Sequence, residues 1–216
     1  MLFGKKQSLV GLDIGSHAVK VVELEAQPNR GHRLVNWGIS APLAEAIVDG
    51  EVMDRQLVID AISNLFESRG IKSRSVVAAV SGRAVIVKKI TMNRLSSEDA
   101  QQAVYWEAEQ HVPYDINDVS LDFEILGPAP TDPKQMQVLL VAAKKDMVMS
   151  FGDLIREAGL QPLIVDVDSF AAQNALEANY DFTPEEVVAV LNVGAEITNI
   201  NIVQSGVPYC TKDLQV

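Results

Sequence analysis

The chain opens on two apolar runs interrupted by a small polar bend. Residues 7–14 and 18–26 read as strands rich in Val, Ile and Leu, joined through the turn residues Gly15-Ser16-His17. Pro28-Asn29-Arg30-Gly31 is a second turn, and residues 33–41 read as a third strand, so the chain opens as an antiparallel meander. The pattern then changes. Leu57, Val58, Ala61, Ile62, Leu65 and Phe66 fall on one helical face, in a helix opened by Asp54 and running to about Arg69, with Gly70 as its C′ residue. SVVAAV (75–80) is continuously apolar, which predicts a strand buried on both faces.

Ser81-Gly82 interrupts this texture. Beyond it come a strand at 84–92 and a helix from about Ser97 to His111, preceded by a near capping box at Ser96 and Asp99 and ended by Val112-Pro113. Residues 119–125 alternate strictly, with Val119, Leu121, Phe123 and Ile125 predicted inside. GPAPTDPKQ (127–135) reads as a Pro-rich loop and 136–144 as a buried strand, which makes 82–143 a small α+β insert. The first texture then resumes with a helix from Asp146 to Ala158, a strand at 163–167, and a helix capped by Asp168 and running to about Asn179. After a linker-like TPEE (183–186), three strands follow at 187–194, 198–204 and 207–216, with Gly194 and Gly206 at their turns.

Composition narrows the function. The 216 residues suffice for one large domain or two modest ones, and 48% hydrophobic with 22% charged content is ordinary for a globular chain. A net charge of −11 argues against a nucleic-acid partner and against direct docking on anionic lipid. The N-terminus lacks a signal-peptide apolar segment, and no apolar run reaches about 18 residues, so a cytosolic protein is expected. Cys210 stands alone, which excludes an internal disulfide, and it reads as a small apolar residue. His17, His32 and His111 are far apart without metal-ligand spacing and read as surface or partly packed side chains.

One internal repeat changes the picture. VAVLNVGAEITNINIVQSG (188–206) has the same order as SLVGLDIGSHAVKVVELEA (8–26): apolar strand, polar residue, apolar residue, Gly, small polar bend, apolar strand. Asp13-Ile14-Gly15 aligns with Asn192-Val193-Gly194. Gly in such a bend lets backbone N–H groups approach a phosphate. An Asp at the strand end can hold a hydrated Mg²⁺, and a Lys on the next strand can supply a point charge. Two such hairpins facing each other would clamp a triphosphate. The plainer alternative is that Asp13 and Lys20 are turn-flanking charges, and the second hairpin favours the phosphate reading.

The order of elements, with an insert between the meander and the returning helix, resembles the actin-like ATPase superfamily. The insert and motifs are similar to the PilM family of type IV pilus assembly proteins, relatives of the cell-division protein FtsA. The match is carried by GLDIGSHAVKVVEL (11–24), AIVDGEVMD (46–54), VSGRAVIVKKI (80–90), WEAEQHVPYDINDVSLDFEILG (106–127), VLLVAAKKDMV (138–148), EAGLQPLIVDVDSFAAQNAL (157–176) and NVGAEITNINIVQSGVP (192–208), essentially the whole chain.

The resemblance implies an α/β fold: an actin-like (ribonuclease H-like) mixed sheet with flanking helices, an α+β insert subdomain and an incomplete second half. Subdomain 1A would be 1–81 plus 144–180, the inserted subdomain 1C 82–143, and 181–216 the beginning of subdomain 2A. ATP with Mg²⁺ would bind between the halves. Asp13, Gly15, Ser16 and Lys20 match the family's first phosphate loop, with Asp13 holding Mg²⁺ through water; Asn192, Gly194 and Thr198 fall in the second. Asp168 falls where such ATPases orient the attacking water, though it can equally be the helix cap. Asn192 stands where the pattern usually has Asp and lacks the charge to organise Mg²⁺ strongly, so weak or absent hydrolysis is expected. The family continues beyond position 216 into the adenosine pocket, so this chain is expected to hold ATP weakly or not at all. The implied partner is the cytoplasmic N-terminal peptide of the inner-membrane protein PilN, in a groove between 1A and 1C, with other pilus inner-membrane and motor components possible. The protein would be cytoplasmic, peripheral to the inner membrane through that partner, without inserting into it. A strand edge near 84–92 or a groove beside the 97–111 helix would suit an extended peptide. Trp106 and Tyr114 are anchor candidates, with a core role favoured for both. Two alternatives are an active Mg-dependent ATPase with turnover and a nucleotide-independent adaptor with vestigial phosphate loops.

Overall fold

A computed structural model describes residues 8–27, 31–48, 50–82 and 84–215. The elements, in order, are β1 (Ser8–Ile14), β2 (Val19–Gln27), β3 (Gly31–Ile39), β4 (Ile47–Val48), β5 (Glu51–Val52), α1 (Arg55–Ser68), β6 (Ser75–Val80), β7 (Val85–Asn93), α2 (Ser97–Glu109), β8 (Val119–Ala129), β9 (Asp132–Lys144), α3 (Lys145–Glu157), β10 (Gln161–Val167), α4 (Asp168–Glu177), β11 (Val187–Val193), β12 (Ile197–Gln204) and β13 (Val207–Gln215). The expected turn at 28–31 lies outside the described residues, apart from Gly31.

Among the described residues, three sheets of three or more strands organise the chain, and β4 and β5 pair as a separate two-stranded one. The first has five strands in the order β10-β6-β1-β2-β3, antiparallel across the opening meander and parallel where β6 meets β1 and β10. Alternation places Val10, Leu12, Val19 and Val21 on one face, where they bury against Val58, Ile62 and Phe66 of α1 and Leu154 and Ile155 of α3. The Asp54 side chain caps α1 by accepting from the Leu57 amide at 3.0 Å, and Gly70 ends it with φ 64°. Arg55 clamps α1 to α3, donating to both Glu157 carboxylate oxygens at 2.8 and 2.9 Å.

The second sheet, β7-β9-β8, carries α2 on one face around Ile90, Ala100, Val104, Met136, Val138 and Leu140. Residues 127–135 are a correction. They do not form a loop: β8 runs to Ala129, β9 starts at Asp132, and the strands turn over two residues. The prolines fit because β8 is an edge strand, and the register shifts at Gly127 and Ala129 absorb the irregularity. Pro133 lies beyond the reach of β7, whose pairing ends at Gln135. Trp106 is a second correction, since it is 66% exposed on the outer face of α2; Tyr114 packs against the insert's core as expected. Cys210 is exposed on β13, not packed as an apolar residue.

The third sheet, β11-β12-β13, turns at Ser205-Gly206, whose φ values of 55° and 73° suit a two-residue hairpin. Among the described residues, no side chain of these strands joins either apolar cluster. The sheet meets α4 through buried amides instead. Asn201, 1% exposed, donates to Gln173 Oε1 at 3.0 Å, and Gln173 donates to the Gly206 carbonyl at 2.9 Å.

Candidate functional site

The two repeated hairpins close identically. The Gly15 amide donates to the Ala18 carbonyl at 3.2 Å, and the Gly194 amide to the Ile197 carbonyl at 3.0 Å. Asp13 pairs across its hairpin with Lys20, and Asn192 with Asn199. The strands therefore match residue for residue on both sides of each bend.

Both bends line one cleft of about 390 Å³. Asp13, Gly15, Ser16 and Lys20 come from the first, Asn192 and Gly194 from the second, and Asp168 from the start of α4. Thr198 is not among the lining residues; it lies opposite Val193 and Leu214 in the sheet, and its neighbour Asn199 lines the cleft instead.

The residues fit a phosphate-bearing ligand. A Cβ at Gly194 would sit 2.5 Å from the Ile197 carbonyl oxygen and one at Gly15 3.3 Å from that of Ala18, so the second bend is closed to a side chain and the first only just admits one. The Lys20 ammonium meets Asp13 Oδ2 at 2.6 Å, an exposed pair that puts a cation and a carboxylate at the mouth. Magnesium ion bound there would neutralise phosphate charge; Asp13 and Lys20 would hold the ion and the phosphate respectively.

Asp168 is a further correction. The N-cap of α4 is Val167, no side chain caps the helix, and Asp168 is its first residue, directed into the cleft wall. Burial pushes its carboxyl above the usual carboxylate range, and the negative charges of Asp13 and Asp213 push the same way; a hydrogen bond from Ser81 and the charge of Lys20 partly oppose this.

Asp213 was invisible in the sequence. It lies opposite Asn199 on β13, accepts from Asn199 Nδ2 at 2.8 Å through Oδ1, and accepts from the Gly82 amide at 2.6 Å through Oδ2. Asn199 in turn accepts from Asn192 Nδ2 at 2.9 Å. The available signal was the repeat itself, which puts Asn199 at the position of Lys20 and so asks what replaces that charge.

A larger groove of about 720 Å³ opens beside the cleft, between the first sheet's helices, the insert and the third sheet. Arg55 and Phe151 line one wall, Tyr114 and Lys144 the insert side, and Asp213 and Leu214 the floor. Lys144 Nζ lies 4.5 Å from the Tyr114 ring centroid.

The sequence profile of the type IV pilus assembly protein PilM family matches residues 11–214. The chain belongs to the PilM family. The solved structure of a PilM–PilN type IV pilus biogenesis complex is 31% identical, with a TM-score of 0.84 over 97% of this chain and 62% of that chain. The chain thus spans less than two thirds of that relative's length. The cytoplasmic domain of EpsL, an inner-membrane component of the type II secretion system of Vibrio cholerae, matches with a TM-score of 0.58 and 13% identity over 97% of this chain and 71% of that one, a likeness of fold. The fold is the actin-like one that PilM-family membership implies, a mixed sheet with flanking helices. Among the described residues no helix is long and apolar enough to cross a membrane.

Proposed function

We propose that this chain is the nucleotide-binding part of an actin-like scaffold for type IV pilus assembly, which takes the phosphates of Mg-ATP between its two hairpin bends. The observation that carries this is the pair of identically closed bends lining a single cleft with Asp13, Lys20 and Asp168. The backbone amides of the bends and Lys20 bind phosphate oxygens, Asp13 holds the hydrated cation, and Asp168 at the cleft wall orients a water. Asn192 supplies an amide where a second carboxylate would sit, so binding outlasts turnover. The partner in this reading is the N-terminal peptide of PilN, lying in the groove between the insert and the first sheet, with residues 1–81 and 144–180 acting as subdomain 1A, 82–143 as 1C and 181–216 as the start of 2A. The exposed Trp106 is a second contact surface for pilus components. Such a protein sits in the cytoplasm, held at the inner membrane by its partner.

The test is Mg-ATP binding by calorimetry together with phosphate release, for the wild type and Asp13→Ala. Binding without release that weakens by about tenfold in the variant supports the scaffold. Release that Asp13→Ala abolishes supports an ATPase instead, and absence of binding removes both in favour of an adaptor with vestigial loops. Capture of the PilN peptide with and without nucleotide then reads the groove.

A further inference from the structure

Asparagine has one donor end and one acceptor end, and only its neighbours decide which faces where. At the second bend that decision is made remotely. Asp213 is acceptor-only as a carboxylate, and its two oxygens take the Asn199 amide and the Gly82 N–H. Asn199 must therefore turn its NH₂ group to Asp213, which turns its oxygen to Asn192. Asn192 must then donate, and its own Oδ1 is left without a donor among the described residues, on a side chain that lines the cleft.

From this geometry we propose that Asp213 is a positioning residue, which fixes Asn192 so that its oxygen and not its nitrogen serves the cleft. The proposal rests on the nucleotide reading above and sharpens it. An amide oxygen accepts hydrogen bonds from the water shell of a cation and repels phosphate oxygens. The second bend thus contributes backbone N–H groups to phosphate and the Asn192 oxygen to the hydrated cation. The same geometry accounts for asparagine at this position. In the first hairpin Asp13 faces a lysine, and the third strand presents Ile39 opposite Lys20. In the second hairpin the third strand presents Asp213, so an aspartate at 192 would face an Asn199 oxygen already committed by Asp213.

Two measurements test this. Side-chain amide resonances of Asn192 and Asn199 are recorded by NMR in the nucleotide-free protein and in Asp213→Asn. Slow exchange of both NH₂ groups in the wild type, lost at Asn192 in the variant, is the expected result. Unchanged exchange in the variant, or fast exchange at both groups in the wild type, overturns the proposal. The second measurement is the ratio of ATP affinity with Mg²⁺ to that with chelator. Asp213→Asn and Asn192→Ala should each lower the ratio by about tenfold, and the double variant should lose no more than either alone, because Asp213 acts on the cation only through Asn192. Additive losses in the double variant overturn the proposal even if a single variant is poorly stable. A wild type that binds no nucleotide defeats the functional reading, whereas the amide spectra defeat the relay alone.

Discussion

Two glycines at equivalent places in a repeat should respond differently to the same substitution. Neither Gly15 nor Gly194 has a positive φ, so alanine meets no backbone penalty at either site. At Gly194 the new Cβ lies 2.5 Å from the Ile197 carbonyl oxygen. A carbon–oxygen contact needs about 3.3 Å, so the bend must open by about 0.8 Å. That stretches the 3.0 Å Gly194–Ile197 bond beyond hydrogen-bonding range. The lost bond costs about 1 kcal/mol and residual crowding about 1–2 kcal/mol. Lower entropy of the unfolded alanine chain returns about 0.4–1 kcal/mol, leaving Gly194→Ala destabilised by about 1–3 kcal/mol. At Gly15 the contact is 3.3 Å, already at the limit, so Gly15→Ala should fall within about 0.5 kcal/mol of the wild type. Urea unfolding monitored by circular dichroism reads both, as a midpoint shift at constant slope. If Gly15→Ala proves as costly as Gly194→Ala, the bend geometry argued here is wrong.

Other consequences are as direct. Phe66, 1% exposed beneath the first sheet, should cost about 3–5 kcal/mol when changed to alanine, visible as a large drop in urea midpoint. Asn201→Leu removes the donor to Gln173 Oε1 and should cost about 1–3 kcal/mol despite the added apolar volume; a neutral result would show that the amide layer between β12 and α4 is not a stability element. Because the folded carboxyl of Asp168 titrates above the unfolded value of 3.8, its stabilising contribution is complete below that value and is lost as pH rises through the folded one. Asp168→Asn should therefore gain stability relative to the wild type as pH rises above 3.8 through the folded value, and a difference in urea midpoint that stays constant over that rise would exclude burial as the cause.

Most of the architecture was legible because the period of the apolar pattern matches what each element buries. Val10, Leu12, Val19 and Val21 alternate, Val58, Ile62 and Phe66 recur at helical spacing, and all of them meet in one core. The Pro-rich stretch misled because proline forbids a central strand but not an edge strand, and sheet order is set by tertiary pairing that no local window contains. Asp168 misled in the same way: aspartate before a helical run suggests a cap, whereas the chain spends this one on the cleft. Both bends were readable from the repeat, since Gly15 and Gly194 hold the turn wherever their partners lie. Asp213 was not, because its role exists only in the register of β12 against β13. Trp106 offered only its size, and size alone favours a core that the α2 face does not provide.

The central claim is that two bends, 179 residues apart in the chain at Gly15 and Gly194, grip the phosphates of one nucleotide from opposite sides. Titration of the ¹⁵N-labelled protein with Mg-ATP, following the backbone amides of Gly15 and Gly194 together, tests it most directly. Both resonances should move along one shared binding curve. Movement of one bend without the other, or of neither, would contradict the account.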